Sequence, residues 1–265
     1  MTTPRRRPAP TFHPVTVAGI SSLTPRMRRI TFAGDQLADY PDDGPATHFK
    51  LLLPAPGQSE IALPEPGPDG PSWPEPRPLR RTYTPRYVDR DGRSLVVDFA
   101  LHRQAGPASA WAAAARVGDQ VVVTGARGPY RIDPDADWTL LVADETALPA
   151  AGTILDAAPA GARVLLVAEV ADQAEQLEFD TAAALTTVWC HRGDSQAGVP
   201  ATRAVRDISV PAGRGACWVG LEASAMREVR RHLLSDRGMN RGQLYTRGYW
   251  KLGVSDHPDH DTGED

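Results

Sequence analysis

The sequence predicts a β plus α/β protein of two domains, in which a small antiparallel β-barrel precedes a parallel α/β domain. The first half of the chain consists of short β-branched or aliphatic runs separated by Pro, Gly and Asp, which is typical of antiparallel strands. The second half alternates apolar runs with helical segments, which indicates a parallel sheet covered on both faces. Because the pattern changes near Asp133-Pro134-Asp135, we predict domains at residues 1–133 and 134–265.

The first domain is predicted to contain several strands and one helix. The strands are His13–Gly19, Met27–Ala33, His48–Leu53, Thr82–Val88, Leu95–Leu101 and Gln120–Thr124. Short strands with turn signals between them favour a small barrel. Residues 54–78 are rich in Pro and Gly, which exclude a helix or a central strand, so we expect an extended surface loop. The segment Gly106-Pro107-Ala108-Ser109 precedes an alanine run and predicts a helix start.

The second domain is predicted to alternate strands with helices. The strands are Trp138–Ala143, Val164–Val170, Thr186–His191 and Cys217–Leu221. One helix is expected at Thr146–Ala157 and another between Glu222 and Asp236, with Gly238 as its C-cap. A barrel followed by such a domain is the order found in flavin reductases, although fold order alone is an analogy.

Composition narrows the class of protein. With 265 residues, 23% charged and 41% hydrophobic, the chain is globular, and a net charge of −4 argues against nucleic acid as a partner. No apolar run approaches the ~20 residues of a membrane span, and no apolar segment follows Arg5, Arg6 and Arg7 as in a secretory signal, so we predict a cytoplasmic protein. Both charged termini are expected to be solvated tails, the last acidic residues being Asp256, Asp259, Asp261, Glu264 and Asp265. Cys190 and Cys217 are predicted to be buried thiols rather than metal ligands.

The segment Arg81-Thr82-Tyr83-Thr84-Pro85-Arg86 has the residue types that a flavin requires. Residues two apart on a strand share one side, so Arg81 and Tyr83 are expected to point together. A phenol can cover the ring, a guanidinium can bind phosphate through two hydrogen bonds, and Thr84 can bond to the flavin edge. An exposed basic strand with one half-buried tyrosine fits the same residues.

Two further segments favour phosphate or nucleotide binding. The helix start at Ala108 and Ser109, after His102, offers free N–H groups to a phosphate, although an ordinary capped surface helix has the same pattern. The segment Asp144-Glu145-Thr146 follows a buried strand, where ligands bind in open α/β sheets. It lacks the Gly-rich dinucleotide fingerprint, and Asp144 and Thr146 also suit a helix cap.

The order of these motifs resembles the siderophore-interacting protein family. The motifs are RTYTPR, DFALH followed by GPASAW, VADETALPA, WVGLEASAMR and GYWKLG, and the resemblance extends from about His13 to Gly253. It implies a ferredoxin-reductase-like, FAD-binding barrel and an NAD(P)H-binding α/β domain. The implied activity is NAD(P)H-dependent reduction of ferric siderophores in the cytoplasm, with release of iron as Fe(II).

The resemblance also implies roles by position. The flavin motif would be Arg81, Tyr83 and Thr84; the ribityl and pyrophosphate contacts would be His102, Ala108 and Ser109; the interdomain cleft would be lined by Asp144, Glu145 and Thr146; and Trp250 would be the C-terminal aromatic residue near the flavin. Ala143 stands where glycine is expected and Leu221 where a small residue is expected, so we expect a narrower nicotinamide site.

The remaining assignments concern charged residues. Lys50, Arg131, Arg247 and Lys251 are predicted to attract an anionic iron chelate, although each also suits a solvated surface. Arg192 and Glu222 are predicted to contact the nicotinamide nucleotide, with Arg192 reading a 2′-phosphate. No acid–base dyad or metal site is expected, because the cofactor supplies the chemistry.

Other functions fit the same sequence. One is a flavin reductase with another acceptor, namely a quinone, a free ferric chelate or a protein. Another is a siderophore-binding protein without enzymatic activity. The siderophore, the choice between NADH, NADPH and a protein electron donor, and the oligomeric state stay open, with a monomer favoured.

Overall fold

The computed structural model describes residues 11–58, 60–65, 67, 72–102, 106–254, 257 and 261–263. Its first half forms a seven-stranded antiparallel sheet in the order β4-β3-β7-β1-β2-β6-β5. The strands are β1 (Phe12–Thr24), β2 (Met27–Ala33), β3 (Phe49–Leu53), β4 (Leu79–Tyr83), β5 (Tyr87–Asp89), β6 (Ser94–Ala100) and β7 (Gln120–Thr124). Side chains from β1, β2, β3, β6 and β7 share one core, so the sheet curls around it and confirms the predicted barrel-type domain.

One predicted strand of this domain is wrong. The segment Thr82–Val88 is two strands, because β4 ends at Tyr83 and β5 begins at Tyr87. Pro85 lies in the bend between them and has no N–H to donate to a sheet. The chain therefore changes direction within the flavin-type motif, directly after Thr84. The described part of the predicted loop at 54–78 holds one isolated bridge, between Glu65 and Ser72, and no strand or helix.

Helices pack against both sheets. The helix α1 (Pro107–Ala114) packs on β2 and β6 of the barrel, and a 3-10 helix at Asp35–Asp39 packs on β1. In the second half, α2 (Leu148–Ala157) and α4 (Ala223–Ser235) match the two predicted helices with slightly later starts. The C-cap of α4 is Asp236, and Gly238 follows in the left-handed region at φ +68°.

The second half forms a five-stranded parallel sheet in the order β10-β9-β8-β11-β12. The strands are β8 (Trp138–Asp144), β9 (Arg163–Val170), β10 (Ala184–His191), β11 (Gly215–Glu222) and β12 (Leu244–Trp250). The two central strands, β8 and β11, are almost entirely buried, as their continuous apolar runs predicted. Strand order reverses between them, and the carboxyl ends of strands at such a reversal are the usual ligand site.

Two elements of this domain were not predicted. The helix α3 (Val199–Asp207) is short. Its buried residues are Ala201, Thr202 and Val205, of which the first two are small or polar and give a weak apolar pattern. The strand β12 carries Arg247 and Gly248 in its middle, which weakens a strand pattern. The helix α3 is held by packing on the sheet and on α4, and β12 by pairing with β11 at the sheet edge. These are tertiary effects that local pattern does not report.

Contacts between the domains are polar and specific. The Glu175 carboxylate of the α/β domain accepts hydrogen bonds from the Thr24 hydroxyl (2.5 Å) and the Arg26 N–H (3.0 Å) of the barrel. The buried Arg86, the last residue of the flavin-type motif, forms an ion pair with Asp156 at the end of α2. Arg86 therefore ties the domains together. The predicted boundary at 133/134 falls between β7 and β8 and stays a prediction.

The C-terminal segment is not a solvated tail at Asp261, so that prediction is wrong there. The Asp261 carboxylate binds Arg227 (2.9 Å) and His257 (3.0 Å), and its carbonyl accepts the Gly248 N–H (2.9 Å). Residues 261–263 thus lie along the open edge of β12, which needs partners for its backbone. The other charged residues named at the two termini lie outside the described residues.

The cysteines, the helix lengths and the clusters of metal-ligating residue types can be read directly from the structure. Cys190 and Cys217 are both free and buried, which confirms the predicted core thiols. Among the described residues, no helix is long and apolar enough to cross a membrane. In the same part of the chain, no cluster of His, Cys, Asp and Glu could hold a metal ion.

Candidate functional site

The first residues of the flavin-type motif lie on β4, where alternate side chains face opposite sides of the sheet. Arg81 pairs with Leu51 and Tyr83 with Phe49, so both motif residues face the side of β3 that forms the barrel core. The Tyr83 ring lies 4.4 Å from the Phe99 ring, centroid to centroid, and burial raises the pKa of its phenol. This packing fixes the aromatic ring beside a cation, which is the pair that a flavin and its phosphates need.

Thr84 follows β4 directly and is only 7% exposed. The Thr84 hydroxyl lies near the phenol of Tyr249 on β12, whose pKa is raised by burial and partly lowered by Thr84. The barrel motif therefore approaches the α/β domain at the residue predicted to bond to the flavin edge. Sequence analysis had not selected Tyr249, although it stands next to Trp250 in the GYW motif.

The N-terminus of α1 is open. Its N-cap is Gly106, no described side chain caps it, and a Cβ built on Gly106 would meet nothing within 4 Å. Ser109 is buried in the first turn and accepts a hydrogen bond from the N–H of His102 (3.1 Å). The free N–H groups of this turn suit a phosphate. Together with Arg81 and Tyr83, they form a donor set that fits FAD.

Asp144 closes the site from the α/β side, at the carboxyl end of β8. Its carboxylate accepts hydrogen bonds from the Thr146 N–H (2.9 Å), the Thr146 hydroxyl (2.5 Å) and the Trp250 indole N–H (2.8 Å). Burial, and to a lesser extent the charge of Glu145, raises the pKa of Asp144 to about 7. The carboxylate thus holds Trp250 and the start of the α2 segment in place.

Trp250 also reaches the barrel. Its ring centroid lies 6.3 Å from that of His102, which precedes α1. Burial lowers the pKa of His102, so the imidazole is neutral near pH 7. A connected series of contacts therefore runs from Asp144 through Trp250 and His102 to Ser109, and it brings together predicted site residues from both domains.

Arg192 lies in a partly buried ion-pair cluster. Its guanidinium binds the Glu145 carboxylate through both Nη atoms, at 3.0 Å for Nη1, and the Glu169 carboxylate at 3.3 Å. Glu169 is fully buried and also accepts the N–H groups of Gly198 (2.8 Å) and Ala201 (3.0 Å) at the start of α3. Arg192 is therefore engaged by two carboxylates. Sequence analysis had missed Glu169, which lies in an apolar strand and has no flanking motif.

Glu222 serves as the N-cap of α4. Its carboxylate accepts the N–H groups of Ser224 (2.7 Å) and Ala225 (3.1 Å). The helices α3 and α4 are thus capped by the domain's own carboxylates. Among the described residues no side chain caps the N-terminus of α2, whose first turn is buried and contains Pro149.

The four predicted chelate-binding cations lie on different elements. Lys50 on β3 donates to the Thr82 hydroxyl (2.6 Å), and Arg247 lies over the Tyr245 ring at 4.8 Å. Arg131 lines a cavity of about 270 Å³ beside Tyr130 and Tyr245. The fourth, Lys251, is exposed and follows Trp250. Lys50 pairs with Thr82, which stands two residues before Thr84, and Arg247 stands two residues before Tyr249 on β12.

The two departures from the family pattern lie in the core. Ala143 packs in the layer that contains α2, and Leu221 packs in the layer that contains α3 and α4. Both side chains are fully buried. The added bulk is therefore accommodated within the two layers, and a narrower nicotinamide site stays a prediction.

Comparison with known proteins agrees with this geometry. Residues 16–130 match the model of the siderophore-interacting FAD-binding domain, and residues 136–253 match that of the siderophore-interacting protein. The crystal structure of a siderophore utilization protein from T. fusca superposes with a TM-score of 0.85 at 36% identity, covering 96% of this chain and 97% of the other. The chain belongs to the siderophore-interacting protein family.

Two curated relatives carry names that describe an activity. The ferric vibriobactin reductase of Vibrio cholerae is 27% identical over 241 residues, which are 90% of this chain and 89% of the relative. The NADPH-dependent ferric-chelate reductase of Escherichia coli is 32% identical over 139 residues, or 52% of this chain and 54% of the relative. Membership of the siderophore-interacting protein family therefore comes with relatives named as ferric reductases.

Proposed function

We propose that this siderophore-interacting protein is an FAD-dependent oxidoreductase that passes electrons from NAD(P)H to a ferric siderophore and releases iron as Fe(II). The observation that carries the proposal is the series of contacts from Asp144 through Trp250 and His102 to Ser109. It sets the phosphate-type helix start of the barrel against the strand ends where an α/β domain binds a nucleotide. The names of the two reductases support the same activity.

The barrel residues would hold the FAD. Arg81 would bind the pyrophosphate, the open N-terminus of α1 at Ala108 and Ser109 would receive a phosphate oxygen, and Tyr83 would cover the ring. Thr84 would bond to the reactive edge. When bound, the flavin accepts a hydride and gives up single electrons.

The α/β residues would bring the nicotinamide nucleotide to the same place. The start of α2 beside Thr146, which no described side chain caps, would lie toward the nucleotide. Arg192 neutralises Glu145 and Glu169, which otherwise place negative charge close to that helix start. We therefore assign Arg192 an electrostatic role toward the whole nucleotide, in addition to any contact with a 2′-phosphate.

The acceptor would be held by charge. A ferric siderophore is bulky and often anionic, and the basic residues Lys50, Arg131, Arg247 and Lys251 would attract it. The proposal includes the cytoplasm as the location and a monomer as the working form.

A panel of acceptors tests the proposed function. Purified protein reconstituted with FAD is mixed with NADPH or NADH and with ferric siderophores, a quinone or ferric citrate, and Fe(II) is trapped by a chromogenic chelator. We expect turnover to be fastest with a siderophore. Preferential reduction of the quinone would contradict the assigned acceptor, and siderophore binding without turnover would indicate a binding protein instead.

Charge reversal at Lys50 should weaken binding of the ferric siderophore and leave binding of FAD unchanged. The Lys50→Glu variant should raise the KM for an anionic ferric siderophore about fivefold or more, because reversing one charge 4 Å from another changes their interaction by ~2 kcal/mol in water. The flavin content should not change. Arg163→Glu, at the opposite, amino end of β9, is the matched control for net charge. Equal KM values for the two variants, at low and at high salt, would exclude an electrostatic role for Lys50.

A further inference from the structure

A cavity of about 370 Å³ lies between the end of β10 and the helix α3. Its lining includes His191, the last residue of β10, Ser195 in the loop that follows, and Val199 and Arg203 on α3. The cavity therefore begins at the carboxyl edge of the parallel sheet and continues along α3. In open α/β sheets this is the edge where nucleotides bind. We refer to this space as the β10–α3 cavity.

Arg203 supplies the β10–α3 cavity with a cation that can bind a new anion. Its side chain is exposed, and within the described part of the chain its guanidinium makes no hydrogen bond, ion pair or ring contact. The nearest arginines on either side of it in sequence are already engaged, Arg192 by two carboxylates and Arg206 by Glu228. An anion can therefore pair with Arg203 without first breaking an ion pair.

One carboxylate, that of Asp207, also lines the cavity. It follows Arg203 by one helical turn and so lies ~6 Å further along α3. Since α3 begins at the carboxyl edge of the sheet, Asp207 lies at the far end of the cavity from Ser195. A phosphate that enters from the edge would meet Ser195 and Arg203 first, and repulsion by Asp207 would keep it there.

The carboxylate that could bind an unphosphorylated ribose is used inside the domain. In nucleotide-binding α/β sheets, an acidic residue near the end of the second strand binds the ribose 2′-hydroxyl of NAD, whereas a nearby arginine accommodates the 2′-phosphate of NADP. Glu169 stands near the end of β9, but it is fully buried and accepts hydrogen bonds from Arg192 and from two backbone N–H groups at the start of α3. The exposed Arg203 therefore suits a phosphorylated ribose better than Glu169 suits an unphosphorylated one.

We propose that the β10–α3 cavity binds the adenosine end of NADPH and that Arg203 selects this nucleotide over NADH by pairing with its 2′-phosphate. The inference rests on the proposed function, because it assumes that the nucleotide reduces the flavin from this edge of the sheet. A guanidinium binds a phosphate through two parallel hydrogen bonds, and the Ser195 hydroxyl can donate another. Val199 and Ala204 offer apolar surface to the adenine. Arg192 acts on both nucleotides alike, through the charge that it neutralises.

Binding of nucleotide fragments tests the cavity without electron transfer. In isothermal titration of FAD-loaded protein, we expect 2′,5′-ADP to bind about tenfold or more tightly than 5′-AMP, since a charge-assisted bond to a phosphate changes affinity by roughly ten- to a hundredfold. Arg203→Ala should abolish this preference, and Arg203→Lys should keep part of it. Arg206→Ala, which changes a paired arginine on the same helix, should keep all of it. Equal affinities of the wild type for the two fragments would refute the assignment.

Flavin reduction shows whether the same contact selects the electron donor. In Arg203→Ala, the KM for NADPH should rise about tenfold, while the KM for NADH and the limiting rates with both nucleotides stay within about twofold of wild type. A rise for neither nucleotide, or an equal rise for both, would overturn the inference. Wild-type protein whose flavin is reduced by neither nucleotide would instead contradict the proposed function, so the two failures are distinguishable.

Discussion

The Arg81→Ala variant should bind FAD about ten to a hundred times more weakly than the wild type. A charge-assisted hydrogen bond to a phosphate contributes roughly 1.5–3 kcal/mol, and Arg81 lies on the same side of β4 as the Tyr83 ring. The loss should appear in the dissociation constant from fluorescence titration of apoprotein with FAD. The midpoint of thermal unfolding of the apoprotein should change little.

The neighbouring arginine provides the control for this result. Arg80 points to the opposite, exposed side of β4 and stacks over Trp73 at 5.1 Å. Arg80→Ala removes the same charge from the next position, so it should leave FAD affinity within about twofold of wild type. Equal weakening by the two substitutions would mean that net charge, and not a specific contact of Arg81, governs flavin binding.

The Arg192→Ala variant should lose about 3–5 kcal/mol of stability. That is the usual cost of removing one partner from a buried ion pair, and here it leaves the fully buried Glu169 next to Glu145 without their shared cation. The free energy of unfolding in urea measures the loss. Arg206→Ala, which breaks an exposed ion pair with Glu228, should cost less than about 1 kcal/mol. Similar costs for the two variants would contradict the buried-cluster interpretation.

The loss in Arg192→Ala should depend on pH. Burial already raises the pKa of Glu169, and removal of the cation should raise it further. A glutamate whose pKa is raised by folding favours the folded state at acid pH, below its unfolded pKa, and loses this contribution as the pH rises through the folded pKa. The gap between variant and wild type should therefore be small at acid pH and widen toward neutral pH. A gap that narrows as the pH rises would contradict this sign.

The same variant tests how Arg192 acts on the nucleotide. Both Nη atoms bind carboxylates, so the main effect of removing Arg192 should be the uncovered negative charge near α2. We expect the efficiency of flavin reduction to fall by a similar factor for NADPH and NADH. A loss confined to NADPH would instead support direct contact with a 2′-phosphate.

Much of the fold is predicted from local sequence pattern, because most strands and helices contain residues typical of that structure. The apolar runs of β8 and β11 indicate strands buried on both faces, and the Gly-Pro pair before an alanine run indicates α1. The strand β12 and the helix α3 escaped prediction because polar residues interrupt their patterns. They are stabilised by packing on neighbouring elements that are distant in sequence, so their own residues do not predict them.

The candidate site is predicted from contiguous motifs. Arg81, Tyr83 and Trp250 are selected because the resemblance covers whole segments, and their roles stay predictions. Glu169 is not predicted, because its partners Arg192 and the start of α3 lie far along the chain. Only the packing of the two domains shows that Arg86, next to the motif, holds Asp156 rather than a phosphate.

Anaerobic sequential mixing tests the central claim most directly. FAD-loaded protein is first mixed with increasing NADPH or NADH, and the visible flavin absorbance is followed; the reduced protein is then mixed with a ferric siderophore. The account predicts that bleaching saturates with nucleotide concentration and that absorbance returns rapidly with the siderophore, together with stoichiometric Fe(II). Slow, non-saturating bleaching by both nucleotides, or no return of absorbance with any ferric siderophore, would contradict it.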